Sequence, residues 1–266
     1  LKRNTDRDLD FANELVTKEL RSKVLISQWT NSFLSGTTTA AMDPITYGFA
    51  RFAFNCCLCY DDVPAQYFLD SNVEKLLISL MQFESELVVG PAAMSLMHIS
   101  LHEEMKSKLV QSGILPVCLK LLVNSKAHPI CCQVAKICAS LALLGANKPE
   151  LANSGCFHAL LDLMGGMHKI VDKPTQRAAS CAVVNILSES TANKKLCIEL
   201  EGIKSILNAL RLSSDEIVLQ QAVKSVLNLT FNNTFTASTF LQSGGDTVIV
   251  DVIESTNVLE ASETLT

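Results

Sequence analysis

Two clusters in this 266-residue chain have residue types that could hold a metal. Cys56, Cys57 and Cys59 contain a CxxC, and His98 and His102 form an HxxxH. Structural zinc needs four convergent thiolates or imidazoles. No second CxxC or HxxxH partner lies near Cys56, Cys57 and Cys59 in the repeat pattern described below. HISLH also lacks the Glu of HExxH, which would serve as general base. Core packing near a helix end is therefore the expectation for the three cysteines, with metal or redox chemistry as the alternative. For His98 and His102 the expectation is a groove or surface role, without metal.

Other chemistry is weaker still. Asn228-Leu-Thr230 and Asn232-Asn-Thr234 match the glycosylation sequon, but the first falls within a helical pattern, so both read as chance. Gly165-Gly166 has no strand before it and no GK[ST] after it, which makes it a connector and not a phosphate loop. The Met residues of SLMHIS and LLDLMGG read as core filler. Ser, His and Asp residues are scattered among connectors, so no nucleophile, base and orienting acid can be aligned. The chain is expected to be no enzyme, to bind no metal and no cofactor, and to take no small-molecule substrate.

Composition narrows the class. Hydrophobic residues make up 48% and charged residues 18%, so most helices should be buried on more than one face. A net charge of −5 argues against a nucleic-acid binder. The ten cysteines fall mostly within apolar helical runs such as CCQVAKIC, which suits a reduced, intracellular protein. The opening LKRNTDRDLDF is too charged for a signal peptide, and no apolar run approaches a membrane span. The expected place is the cytoplasm, with cytoskeletal or ciliary association as a further option. The start without Met and the ending EASETLT read as an excerpt of a longer polypeptide.

The elements that position side chains are set by a repeat. Asn55, His98, Ser140, Asn185 and Asn228 are 43, 42, 45 and 43 residues apart, each late in an apolar, helix-like stretch. Asn72, Gly113, Gly155, Gly202 and Gly244 keep the same time at 41, 42, 47 and 42. A period of roughly 40–47 is that of a two- or three-helix solenoid repeat. Four, five and eight residues after each marker all fifteen positions are apolar, from Leu76, Leu77 and Leu80 to Val248, Ile249 and Val252. That spacing is one face of a helix. The marker is the bend before it, where a positive φ is cheap for Gly or Asn.

A short helix precedes each bend, as in KSKLVQS and NKPELANS. A longer third helix follows, at roughly 43–59, 86–101, 129–144, 174–189 and 215–231, with Pro129, Pro174 and Asp215 as start signals. The connector GGMHKIVDKP is longer than its counterparts, accounts for the 47-residue step and is the expected mobile loop. Repeat boundaries are expected near 1–60 (divergent), 61–101, 102–145, 146–190, 191–232 and 233–266, all in one solenoid. After Val252 a polar connector should lead into VLEASETL, the start of a sixth unit's third helix.

These units resemble armadillo repeats, with QSGILPVCLKLL and LEGIKSILNAL the best-matching phrases and residues 43–254 covered. HEAT repeats, the nearest competitor, have two helices and lack the bend. The resemblance implies an all-α, armadillo-type right-handed α-solenoid of about five three-helix repeats, whose third helices line a concave groove. In peptide-binding armadillo proteins such as importin alpha and beta-catenin, third helices present a ladder of Asn, often with Trp one turn earlier. The Asn place matches at Asn55, Asn185 and Asn228 and departs at His98 and Ser140. The Trp place holds Arg51, Met94, Lys136, Cys181 and Lys224, and the single Trp of the chain, Trp29, lies outside it.

Each third helix offers three places at intervals of four, close to one turn. They hold Tyr47, Arg51 and Asn55; Gly90, Met94 and His98; Cys132, Lys136 and Ser140; Arg177, Cys181 and Asn185; and Gln220, Lys224 and Asn228. Four are basic and none is acidic, although acids outnumber bases 27 to 22 overall. The expectation is a mildly positive groove that holds an acidic or polar extended segment of a protein partner, its backbone paired by Asn amides. The alternative is that Asn185 and Asn228 only tie neighbouring helices together. The protein is then a non-catalytic scaffold or adaptor, or otherwise a structural part of a larger cytoskeletal or ciliary assembly.

Overall fold

The computed structural model describes residues 72–125, 128–166 and 171–263. Tyr47, Arg51, Asn55, the Cys56–Cys59 cluster, Trp29 and the expected third helix at 43–59 lie outside the described residues, as do residues 167–170 of the long connector. Thirteen α-helices and no strand occur among the described residues. They group into two compact units, Leu1–Asn147 and Lys148–Thr266.

In the first unit, α1 (Val73–Leu80) packs on α2 (Glu86–Ile99). The short α3 (Glu103–Gln111) leads into α4 (Ile114–Asn124), which packs on α5 (His128–Leu141), and α2 lies against α5. A 3₁₀ turn, Gly145–Asn147, ends the unit. The second unit holds α6 (Lys148–Asn153), α7 (Cys156–Met164) and α8 (Lys173–Leu187), then α9 (Thr191–Glu199), α10 (Gly202–Leu212) and α11 (Glu216–Thr230). It closes with α12 (Thr234–Gln242) and α13 (Gly245–Glu263). Here α7 packs on α8, α10 on α11, and α8 on α11.

The short-second-third order is therefore present at α3–α5, α6–α8 and α9–α11, with α2, α5, α8 and α11 as third helices. Each stops one to three residues before its expected end. After α2 and α5 the chain tightens, with Leu101 N–H donating to His98 O and Leu144 N–H to Leu141 O, three residues back. The starts follow the local signals. Pro129 and Pro174 lie in first turns, where no N–H is needed, and Asp215 caps α11 by accepting from Val218 N–H at 3.2 Å. The second-helix apolar places are buried, except that Leu121, Ile249 and Val252 are half-buried.

Two expectations are corrected. Asn72, Gly113, Gly155 and Gly244 adopt positive φ at their bends, but in the fourth repeat the bend falls on Glu201, at φ 54°. Gly202 is already the first residue of α10. Its requirement is space. A Cβ there would lie 2.5 Å from Cys197 Sγ, 2.8 Å from Cys197 O and 2.9 Å from Leu161 Cδ1. The second correction concerns the end, where no connector interrupts the chain after Val252. The helix α13 continues to Glu263, 19 residues against 8 to 11 for α1, α4, α7 and α10.

Buried amides set the register between repeats. Asn147 Nδ2 donates to Leu141 O (3.2 Å), at the end of α5, and to Lys106 O (3.1 Å) in the previous short helix. Asn193 repeats this on Ile186 O (3.0 Å) and Lys148 O (3.4 Å) in the second unit. Thr236 takes the place with its hydroxyl on Leu229 O. The adjacent lysines are buried too, with Lys148 Nζ donating to Ser188 O (2.7 Å) and Lys194 Nζ to Phe231 O (2.8 Å). Ile186 O and Leu229 O lie in the last turns of α8 and α11, where a carbonyl has no partner within its helix, so Asn193 and Thr236 satisfy groups that burial would otherwise leave unpaired.

Candidate binding face of the third helices

Because α2 packs on α5 and α8 on α11, each compact unit brings two sets of ladder places side by side. In the first unit Gly90, Met94 and His98 are half-buried, Lys136 is exposed, and Cys132 and Ser140 are buried. Ser140 Oγ donates to Ser100 O at 2.6 Å, just beyond the end of α2. It therefore ties two third helices and has little left to offer a partner. His98 is held below the ordinary imidazole value by burial and then by the nearby Lys136 charge, so it is neutral at pH 7.

The second unit places Arg177, Gln220 and Lys224 in solvent, with Cys181, Asn185 and Asn228 half-buried. Asn228 Nδ2 donates to Val184 O at 3.1 Å, linking α11 to α8, the helix-tying role weighed above. Gln220 Nε2 donates to Glu216 Oε1 at 3.0 Å along its own helix. Burial raises the Cys181 thiol, and the Lys224 charge beside it pulls the other way.

Arg177 is the largest departure from the expected basic ladder. Its Nε lies 3.0 Å from both Asp215 carboxylate oxygens and its Nη2 donates to Oδ2 at 2.7 Å. The hydrogen bonds from Arg177 hold the Asp215 carboxyl below its ordinary range. A carboxylate that no ladder place revealed thus neutralises one of the bases. Lys136 and Lys224 remain, both exposed and neither in an ion pair among the described residues.

His98 and His102 do not share a helical face. The helix α2 ends at Ile99, and His102 is the residue before α3. Among the described residues no group of three His, Cys, Asp or Glu side chains could hold a metal ion. Cys118, Cys131, Cys132, Cys138, Cys156 and Cys197 are buried. Asn228 of the first sequon lies in α11, and Asn232 follows that helix at φ 49°.

Asn147, Lys148, Asn193 and Lys194 were not singled out from the sequence. A trace of them was available, since the tripeptide Ala-Asn-Lys occurs at 146–148 and again at 192–194. Asp215 was read only as a helix start. Nothing in its spacing announced that Arg177, 38 residues earlier, would meet it.

No family model matches the chain. Vacuolar protein 8 of Schizosaccharomyces pombe is 27% identical over 137 residues, which are 52% of this chain and 24% of that protein. The chain thus spans about a quarter of the length of the curated relative it matches. Among solved structures, computationally designed armadillo repeat proteins for modular peptide recognition align at TM-score 0.70 and 17% identity, covering 85% of this chain and 90% of theirs. A designed armadillo repeat protein in complex with the peptide (KR)4 aligns at TM-score 0.64 and 20% identity, over 70% and 77% of the two chains. The helix order and these alignments agree: this chain has the armadillo-repeat solenoid fold.

Proposed function

We propose that the chain is a non-catalytic interaction scaffold that holds an extended segment of a partner protein along its third helices. Solenoids commonly work this way, because stacked repeats expose a long binding surface. The observation that carries the reading is the pair Lys136 and Lys224. They occupy equivalent places two repeats apart, both exposed and both outside any ion pair among the described residues. Each stands beside an uncharged group of the neighbouring third helix, His98 and Cys181 respectively. A designed relative takes the basic peptide (KR)4. Here the exposed charges have the opposite complement, so the partner segment is acidic or polar.

Within this reading Lys136 and Lys224 supply charge, and Asn185 and Asn228 supply amide groups to the partner backbone. Met94, His98 and Cys181 form its floor, Gln220 lies at its edge, and Tyr47, Arg51 and Asn55 extend the same ladder. Arg177 takes part only if a partner carboxylate displaces Asp215. The test is fluorescence anisotropy with two labelled octapeptides, (DE)4 and (KR)4, at low salt. The reading expects saturable, salt-sensitive binding of (DE)4 at least tenfold tighter than that of (KR)4. Equal affinities, or a preference for (KR)4, would contradict it.

A second reading follows from Ser140 and Asn228, whose side chains bond the adjacent third helix. If the ladder mainly serves internal cohesion, the chain is a structural segment of a larger assembly, cytoskeletal or ciliary, in contact through other faces. Crosslinks from an intact assembly that avoid α5, α8 and α11 would favour it. Among the described residues no single helix is long and apolar enough to cross a membrane.

A further inference from the structure

A groove of about 330 Å³ opens in the second unit, away from the third helices. Its floor is apolar: Ile203 and Leu207 of α10 are buried, and Ile198 of α9 is half-buried. Lys204 and Arg211 of α10 stand on one side, with Glu201 at the bend before that helix. Thr239 of α12 and Ser243, just after it, stand on the other. No residue of α8 or α11 lines it. Beyond these walls α13 is already in place, packed on both α10 and α12, so the groove is not the face of an absent neighbour.

The preceding repeat shows why space opens here. Where α12 and its end carry Thr239 and Ser243, α9 and its end carry Leu196 and Leu200, both half-buried. Thr and Ser are shorter, and their hydroxyls turn onto their own helix. Thr239 Oγ1 donates to Phe235 O and Ser243 Oγ to Thr239 O, each at 2.8 Å. They leave room and offer no spare donor. The facing wall changes in charge, since Lys204 and Arg211 replace His158 and Gly165 of the repeat before. Both cations are exposed, and neither is in an ion pair among the described residues. Seven residues apart on α10, they share one side of the helix and lie about 10.5 Å apart along its axis.

We infer that this groove binds an extended segment of a partner protein with two acidic residues three positions apart and an apolar side chain between them. Three residues of extended chain span about 10 Å, which matches the separation of Lys204 and Arg211. The apolar side chain enters the floor of Ile198, Ile203 and Leu207. A volume of about 330 Å³ is near the lower end of the roughly 300–1,000 Å³ of ligand clefts, room for one anchoring side chain and its backbone. Glu201 repels a third acid at the α9 end, so a uniformly acidic run fits poorly. The site is thus distinct from the third-helix face, in residues and in the segment it selects.

The probe is a labelled peptide, Gly-Asp-Leu-Gly-Asp-Gly, with Gly-Asp-Asp-Leu-Gly-Gly as a control of equal composition. Binding is read by anisotropy in the Lys136→Glu, Lys224→Glu background, where the third-helix face no longer attracts acids. Saturable binding of the probe with Kd below about 1 mM is expected, at least tenfold tighter than the control. Thr239→Leu, which restores the side chain of the preceding repeat, should weaken it at least tenfold. Lys204→Glu with Arg211→Glu should do the same and should instead take the charge-reversed peptide Gly-Lys-Leu-Gly-Lys-Gly. Both cations are exposed, and unchanged circular dichroism and Tm confirm that each variant folds. Equal binding of probe and control, or binding that ignores these substitutions, overturns the inference. So does probe binding that appears only when Lys136 and Lys224 are intact, because the peptide would then lie on the third helices.

Discussion

Arg177 on α8 grips Asp215 at the head of α11, so one carboxylate caps a helix and ties it to the helix before. The pair separates two roles that the ladder reading combined. Arg177 is bound to Asp215, while Lys136 and Lys224 are exposed. Asp215→Asn keeps a capping oxygen but loses the charge; Asp215→Ala loses both. The alanine variant should lose roughly 1 kcal/mol of capping alone, a Tm drop of about 2–4 °C. Asparagine should fall between it and wild type in thermal denaturation. If the alanine and asparagine variants melted together, the cap would carry no weight.

The same pair predicts a pH response. Asp215 has a folded value below its unfolded one, so its contribution is present above the ordinary carboxylate range and is lost as pH falls through the folded value. Wild type should therefore lose more stability than Asp215→Asn in urea titrations carried from pH 5 toward pH 3. Parallel curves for the two proteins would rule this out.

His98 reports on Lys136 directly. Its folded value is depressed, so the fold favours the neutral ring, and stability should decline as pH drops below the ordinary imidazole value of about 6.5. Lys136→Glu removes the second cause and should move the His98 titration upward, read by NMR of the imidazole carbon-bound protons. A titration that does not move would place Lys136 away from the ladder.

The buried amides should matter more for stability than any ladder residue. Asn193→Ala leaves Ile186 O and Lys148 O without their side-chain donor. The expected loss is about 1–3 kcal/mol in urea denaturation, against nearly none for the exposed Lys195→Ala. A loss for Asn193→Ala as small as that for Lys195→Ala would show that the register rests on packing alone.

The fourth bend gives opposite signs at adjacent positions. Glu201→Gly should raise Tm, since a non-glycine residue in the left-handed region costs about 1–2 kcal/mol. Gly202→Ala should lower it, because the added methyl would meet the Cys197 carbonyl and sulfur. The reverse order of the two melting temperatures would place the bend back on Gly202.

How far the sequence could be read depended on the range of the interaction. Helix positions were legible because apolar spacing and start signals are local: Pro174 and Asp215 announce α8 and α11 by themselves. The bend at Glu201 was not, because the glycine one residue later that keeps the repeat spacing serves packing, and packing partners such as Leu161 are remote in sequence. The continuation of α13 was missed because polar residues 254–257 read as a connector, although nothing there forbids a helix. The fate of the ladder side chains was the least legible part. Whether Ser140, Arg177 or Asn228 faces a partner or a neighbouring helix depends on atoms about 40 residues away, Ser100 O, Asp215 and Val184 O.

The central claim is that Lys136 and Lys224 draw an acidic segment onto the third helices. Its most direct measurement is the affinity of labelled (DE)4 for wild type and for the Lys136→Glu, Lys224→Glu double variant, at matched low salt. The account predicts at least a hundredfold weaker binding by the variant, with its helical content and Tm unchanged. Equal affinity of the two folded proteins would contradict it.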